Sequence, residues 1–414
     1  MSRHETDHDP NSLSFEEALR RVSEAVTPVT GFEQLALRAA LDRVLYADVV
    51  SPLNVPGHAN SAMDGYALRA DDLPAEGERE LTVIGTALAG HPFAGEVGAG
   101  QAVRIMTGAV VPAGADTVVK QEQTRVQDGK VIIGAGHKRG ANVRRPGEDI
   151  RQGEVVLARG RRLAPSDLGL LASLGIPEVK VFRRPRVAFF STGDELRSLG
   201  ETLGEGQIYD SNRYTLHAML TRLGLEVIDM GVVPDDREAI REAFRTGAAC
   251  ADVLITSGGV SVGEADFVKE TLQTLGRVNF WKLAMKPGKP LAFGHLGDTV
   301  FFGLPGNPVS VMATFYQVVQ PTLQRLAGEL APERLRLRVP CAENLKKAPG
   351  RLDFQRGILE RDATGQLVVR GAGLQGSHVL SGMSRANCFI VLPAGWGNVE
   401  AGTLVDVEPF AAFV

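Results

Sequence analysis

The sequence predicts a multidomain α/β and β protein, with a central doubly wound α/β unit, a helical arm, a small inserted β unit and a C-terminal β-barrel. Three observations lead there. Strand and helix patterns alternate through residues 185–328, which implies a parallel sheet with helices on both faces. Between Val49 and Ile150 glycines recur every few residues and apolar runs stay short, the texture of a small β fold. After Pro332 short strand patterns return with no long helical one among them, which reads as a barrel or sandwich. A chain of 414 residues also exceeds one ordinary domain.

Residues 1–12 are polar, lack an apolar signal core, and are expected to form a flexible tail. Ser14 and Glu17 have capping-box spacing, and the spacing of Phe15, Ala18, Leu19 and Val22 predicts a helix over 15–26. A second helix is expected over 35–45, both being helical arms outside any sheet. Strands of the β-rich stretch are expected at 81–84, 102–106, 117–120 and 130–133. Helical character returns over 165–174, where Ser166 is placed to cap. If this piece packs with the first helices, the β unit is an insertion. The expected organisation is then a helical unit from 13–50 and 148–182, the insert at 51–147, the α/β unit at 183–330 and the barrel at 331–414. In the α/β unit strands are expected at 187–190, 226–230, 253–256, 280–283 and 300–302. Helices are expected at 213–223, 237–245, 267–275 and 308–326, with Gly224 where a helix C′ glycine belongs. Barrel strands are expected at 336–339, 366–369, 388–391 and 404–407.

Composition narrows the function. A net charge of −4 argues against nucleic-acid binding. The three cysteines are far apart and form no CxxC pair, which disfavours a thiolate zinc site and suits a reducing compartment. No apolar run approaches the roughly 18–20 residues of a membrane span. A cytoplasmic protein is expected. G-x-x-x-x-G-K-[ST], HExxH and G-x-S-x-G are absent. G-x-G-x-x-G occurs once, at Gly371 to Gly376, but no convincing helix follows it, so it is read as no dinucleotide site.

The chemistry concentrates at strand ends of the α/β unit, where ligands bind in such folds. Thr256 to Asp266 is a glycine-rich strand-to-helix turn, containing Gly258, Gly259, Ser261, Glu264 and Asp266. Glycines admit a ligand close to the backbone, and free N–H groups at a helix start attract phosphate. Acids beside such a cradle call for a cation between them and the phosphate. Ser191, Thr192, Gly193, Asp194 and Glu195 follow another strand, and Asp235–Asp236 a third. One acid of that pair is expected to cap the next helix, leaving one spare. Capping is also the expected role of Asp210-Ser211-Asn212. Lys282, Lys286 and Lys289 fall within eight residues, and alternation is expected to place Lys282 and Lys286 on one strand face. Such lysines need anionic partners, either those acids or a bound oxyanion. Pro305, Gly306, Asn307 and Pro308 then enter a helix, a second anion site with Asn307 as N-cap. Together these features suit a phosphorylated substrate, a divalent metal and a small oxyanion, and with them metal-assisted phosphoryl or phosphoanhydride chemistry.

Taken together, these residues resemble the molybdopterin molybdenumtransferase family, the MoeA proteins and the gephyrin E domain. The matching segments are Asn60 to Ala67, Arg104 to Gly108, Arg145 to Asp149, Ser191 to Leu196, Thr256 to Asp266, Lys286 to Pro290, Gly303 to Ser310, Gly350 to Gly357 and Gln375 to His378. They span nearly the whole chain, and no motif position departs from the family's pattern. The resemblance implies a molybdopterin-binding-like α/β unit. It also implies a reaction in which molybdate and adenylylated molybdopterin are bound, the metal enters the dithiolene, and the adenylate is hydrolysed with Mg2+ to AMP and molybdenum cofactor. Carried over by motif, Glu195 and Asp266 serve the Mg2+ and diphosphate, with Asp235 nearby. Lys282, Lys286, Lys289, Arg356, Ser310 and Ser377 surround molybdate or the pterin phosphate, and Gly258, Gly259, Ser261, Pro290, Pro305 and Asn307 line the substrate site. Asp64 and Thr107 lie in the insert, and the family is a homodimer whose site is completed by that unit of the partner subunit. Contact with the adenylyltransferase of the same pathway also follows. The alternatives are adenylylation of molybdopterin itself and a non-catalytic carrier or scaffold.

Overall fold

The computed structural model describes residues 9–258, 267–330 and 334–413. The first helix is Phe15–Glu24, where the Ser14 hydroxyl accepts the Glu17 N–H at 3.2 Å. The reciprocal half of the capping box is missing, because the Glu17 carboxylate accepts from Arg20 and Arg21 instead. Phe15, Ala18 and Val22 are buried in the core of the α/β unit, and the Phe15 ring meets Phe354 of the C-terminal sheet at 5.5 Å. This helix therefore packs on the central unit and not with residues 165–174.

The helix expected over 35–45 does not form. Phe32–Ala36 is a strand paired antiparallel with Glu178–Phe182, and only one 3-10 turn, Leu37–Ala39, follows. Leu37 and Leu41 share a helical face, but Leu35 and Leu37 lie on one face only with strand period. Asp42, at φ 59°, lies in the left-handed region and cannot continue a helix. The helix Pro165–Ser173 packs on this segment through Leu171 against Ala40 and Leu45. Its first turn is held by Asp167 and not Ser166: the Asp167 carboxylate accepts the Ala164 N–H at 2.9 Å and pairs with Arg161.

The insert is a six-stranded sheet in the order Thr117–Lys120, Gly65–Leu68, Gln101–Ile105, Glu78–Ala87, Lys130–Gly134, Thr124–Gln127. Gly65 has no room for a side chain, since a Cβ there would lie 2.0 Å from the Val119 carbonyl oxygen.

The central sheet has the order Glu226–Val233, Arg186–Thr192, Val253–Ser257, Thr299–Leu304, Pro290–Leu296, Arg277–Lys282. The first four strands are parallel, and the last two are antiparallel additions. The all-parallel expectation is corrected here. Pro290–Leu296 and Thr299–Leu304 are joined through Gly297 at φ 61°, a tight hairpin that leaves no space for a crossover helix. Helices Ser211–Arg222, Arg237–Cys250 and Phe267–Leu275 match expectation in place, and Gly224, at φ 71°, ends the first of them. The 308–326 helix widens into a π turn at Phe315–Val319. Pro321 follows it and has no N–H for the carbonyl four residues back.

The C-terminal sheet runs Met285–Lys286, Leu352–Arg361, Cys388–Leu392, Leu404–Pro409, Leu337–Pro340, and Leu367–Gly371 pairs with Leu352–Arg361. A Cys341–Val369 bridge draws its two ends together, giving the barrel. Its longest strand, Leu352–Arg361, is absent from the sequence reading because polar Asp353, Gln355 and Arg356 interrupt the apolar pattern. Cys341 and Cys388 are buried thiols and Cys250 is half-buried. Among the described residues no helix is long and apolar enough to cross a membrane.

Arg183 ties the start of the central sheet together by a bidentate pair with Asp252 at 2.7 Å, and the Arg186 N–H adds a third bond at 2.8 Å. Burial disfavours the charged Asp252 carboxylate, but the Arg183 and Arg186 hydrogen bonds outweigh it and hold Asp252 below the ordinary range. A depressed folded-state pKa contributes stability that is present above the unfolded value, about 3.9, and is lost as pH falls through the folded one. Asp252→Asn is therefore expected to destabilise most at neutral pH, with its deficit in urea midpoint shrinking below about pH 4. A deficit constant from pH 7 to pH 3 would contradict this role.

Candidate active site

Four parallel strands end on one side of the central sheet, and their exits build one wall of a cleft of about 1310 Å3. Thr192 leads to Gly193 and Glu195, Val233 to Asp235, Ser257 to Gly258, and Leu304 to Pro305, Gly306 and Asn307. The opposite wall is the C-terminal sheet, through Asp353, Gln355 and Arg356. The two walls are stitched together because Met285–Lys286 leaves the α/β unit and pairs parallel with Leu352 and Asp353. Lys286, Lys289 and Pro290 line the cleft from that crossing, Ser310 from the helix Pro308–Thr314, and Ser377 from the far rim.

The two walls differ in charge. On the strand-exit wall, Asp236 accepts the Glu238 and Ala239 N–H groups at 3.0 and 2.9 Å and so caps the helix Arg237–Cys250. Asp235 is the spare acid and faces the cleft. It is exposed, but partial desolvation by the cleft wall and the neighbouring carboxylates of Asp194 and Glu195 push its pKa up. The opposite wall carries Lys286, Lys289 and the buried Arg356, which is 1 % exposed. Arg356 donates to the carbonyls of Leu374 and Gly376 at 2.7 and 3.1 Å, while its Nε has no partner. Burial pushes Asp353 up, although Lys286, Lys347 and Arg351 oppose the shift.

Glu195, Asp235, Gly258, Lys286, Lys289, Pro290, Pro305, Asn307, Ser310, Arg356 and Ser377 are thus brought to one cleft. Gly259, Ser261, Glu264 and Asp266 lie outside the described residues. Lys282 does not share a strand face with Lys286. The Arg277–Lys282 strand ends at it, buried Leu283 bridges to Leu13, and Lys286 enters a different sheet. Lys282 instead lies 3.6 Å from Asp9, which also pairs with Lys289 at 3.1 Å. Asp64 and Thr107 do meet: one carboxylate oxygen of Asp64 accepts both the N–H and the hydroxyl of Thr107 at 2.7 Å. They sit on the insert and do not line this cleft. Asn307 occupies the N-cap position but makes no side-chain cap bond.

Sequence reasoning gave Asp353 and Gln355 no role of their own, although both lie in the matching segment Gly350 to Gly357 and stand as polar residues in a strand buried on both faces. Asn212, expected to cap, instead donates its side-chain amide to the Ser257 hydroxyl at 2.8 Å and the Gly306 carbonyl at 2.7 Å, tying two strand exits together. Gly371 to Gly376, set aside as a dinucleotide motif, nevertheless contributes Gly371, Gly373 and Gly376 to the cleft wall.

A cleft at strand carboxyl ends, with acids on one wall and cations on the other, places the chain among α/β proteins that bind ligands at that edge of the sheet. Comparison with known proteins supplies the particular family. Residues 13–175 match the MoeA N-terminal region (domain I and II), 188–325 the probable molybdopterin binding domain, and 338–410 the MoeA C-terminal region (domain IV). A molybdopterin molybdenumtransferase of Haemophilus influenzae is 48 % identical over 400 residues, covering 96 % of this chain and 98 % of that one. Another, from Bacillus subtilis, is 34 % identical over 401 residues, covering 93 % of each. A molybdopterin biosynthesis MoeA crystal structure from Pyrococcus horikoshii superposes with a TM-score of 0.85 at 28 % identity, over 96 % of this chain and all of that one. The chain belongs to the molybdopterin molybdenumtransferase family, transferases of molybdenum cofactor biosynthesis.

Proposed function

We propose that the chain transfers molybdenum from molybdate into adenylylated molybdopterin and hydrolyses the adenylate, releasing AMP and molybdenum cofactor. The observation that carries this reading is the charge division of one cleft. The cationic wall of Lys286, Lys289 and Arg356, with the hydroxyls of Ser310 and Ser377, suits a tetrahedral oxyanion. The acidic wall suits a diphosphate held with a cation. Lys282 is retained as a cation at the rim of the oxyanion site. Gly258, with Gly259 and Ser261 of the same turn, Pro305 and Asn307 hold the phosphates through open backbone, and Pro290 borders the oxyanion.

Glu195 and Asp266 would hold Mg2+. The residues fit such an ion in one respect: Asp235 stands near enough to Asp194 and Glu195 for their charges to add to desolvation in raising its pKa, so hard oxygen donors border this end of the cleft. Among the described residues no three donors are gathered at once, so substrate phosphate oxygens and water would complete the shell. When bound, the ion supplies charge for the phosphates and for the leaving AMP. Asp235, with its raised basicity, takes the proton of the attacking water, and Glu195 orients that water.

On the same reading the enzyme is a cytoplasmic homodimer, and Asp64 and Thr107 complete the partner subunit's cleft. The adenylyltransferase that makes the substrate docks nearby, and the units keep the boundaries given above except that the helix Phe15–Glu24 goes with the α/β unit. The test is AMP release from adenylylated molybdopterin with Mg2+, with and without molybdate. Molybdate-dependent release with active cofactor is expected. Consumption of ATP would instead indicate adenylylation, and tight binding without turnover a carrier.

A further inference from the structure

Residues 1–12 read as a flexible tail in the sequence, but their described end, residues 9–12, is tied down beside the cationic wall. Leu13 is the anchor. Its N–H donates to the Lys282 carbonyl at 2.7 Å and its carbonyl accepts the Ala284 N–H at 2.8 Å, a parallel bridge to Leu283. The chain before it folds into one turn, in which the Ser12 N–H and hydroxyl both donate to the Asp9 carbonyl, at 2.9 and 2.6 Å. That turn divides the Asp9 carboxylate. Its Oδ1 accepts the Asn11 N–H at 3.1 Å, and its Oδ2 faces both lysines, Lys289 at 3.1 Å and Lys282 at 3.6 Å. Lys289 lines the cleft and is one of the cations assigned above to the oxyanion. Its backbone belongs to the same knot, because its carbonyl accepts the Leu283 N–H at 2.6 Å. A carboxylate delivered by the N-terminal segment thus sits on a cation of the oxyanion site. All three side chains keep contact with solvent, 20 % exposed for Asp9 and 43 and 44 % for the lysines. Ion pairs of that exposure are weak, so this one can be given up to a stronger anion.

We propose that Asp9 is a tethered competitor for the oxyanion, a residue that occupies Lys289 and Lys282 in the empty cleft and yields Lys289 when the oxyanion binds. This rests on the oxyanion reading of the cleft given above. A singly charged carboxylate with one oxygen committed to Asn11 has one oxygen to offer the lysines. A tetrahedral dianion brings two charges and four acceptor oxygens. The tether keeps the carboxylate at high local concentration, so a small monoanion must displace an equal charge already in place, whereas the dianion displaces it with charge to spare. The sign of the effect separates this role from its opposite. If Asp9 only held Lys289 in position for the ligand, removing it would weaken binding; removing a competitor strengthens binding.

The experiment titrates sodium molybdate calorimetrically into the whole chain in anion-poor buffer, as wild type, Asp9→Asn and Asp7→Asn. Asp7→Asn removes the same charge two residues earlier in the chain and controls for charge alone. Asp9→Asn is expected to bind molybdate about two- to fivefold more tightly, the factor that an exposed ion pair is worth, with Asp7→Asn unchanged. In turnover, KM for molybdate should fall by a similar factor while kcat stays the same. Lys289→Gln should weaken binding, and Asp9→Asn added to it should restore none of the loss. Asp9 is not among the buried residues, so the fold should hold, and thermal melting checks it. Unchanged or weaker binding by Asp9→Asn, an equal gain from Asp7→Asn, or a gain that persists without Lys289 overturns the inference and leaves the oxyanion reading standing. Molybdate binding by neither wild type nor Asp9→Asn overturns the oxyanion reading, and the inference with it.

Discussion

Asp235→Asn is expected to slow AMP release by about 10²–10⁴-fold, the range for loss of a positioned general base. The fold should be unaffected, because Asp236 and not Asp235 caps the helix Arg237–Cys250. Asp235 is one of the acids that the strand exits gather; it is exposed, but partial desolvation and the charges of Asp194 and Glu195 raise its proton affinity. The acid limb of the wild-type pH–rate profile should therefore lie above the range of an ordinary aspartate, and the variant should lose that limb. Single-turnover AMP release between pH 4 and 8 checks both points. A variant with wild-type rate and an intact limb would remove Asp235 from the chemistry. Asp266→Asn carries the same expected loss of AMP release, through the metal-held phosphates, with the fold kept.

The second large effect is genetic in form. Asp64→Ala and Glu195→Gln are each expected to reduce turnover about 100-fold or more, yet a mixture of the two proteins should recover activity. In a two-fold symmetric dimer whose cleft takes the insert of the other subunit, a mixed dimer has one cleft with both lesions and one with neither. Random exchange then gives about a quarter of wild-type activity. The structural motive is that Asp64 and Thr107 are built as a unit through two 2.7 Å bonds, and Thr107's hydrogen bonds hold the Asp64 carboxyl below its ordinary range. That ordered, exposed pair faces none of its own chain's cleft. No recovery after verified subunit exchange, or a monomer in sedimentation, would confine the site to one chain.

Much of this was legible in the residues. The alternation through 185–328 marked the α/β unit, and the acids and glycines after its strands marked the cleft, because ligand sites at strand carboxyl ends follow from local order along the chain. Asp210 was expected to cap a helix, and it accepts the Arg213 N–H at 3.0 Å. Period alone did not suffice for residues 35–45, where the strand depends on Glu178–Phe182, more than 130 residues away. Nor did it reveal Leu352–Arg361, whose polar residues are buried by elements it meets only on folding.

The sequence by itself determined the family, the order of units and the chemical types at the site: acids, lysines, glycine turns and hydroxyls. Those are carried by short segments whose meaning is local. Only the tertiary structure decided which charges share a wall. Lys286 leaves the strand that holds Lys282 and joins the C-terminal sheet, and that pairing sets Asp353 opposite it. Electrostatics depends on distance through space and on burial, and neither is a property of spacing along the chain.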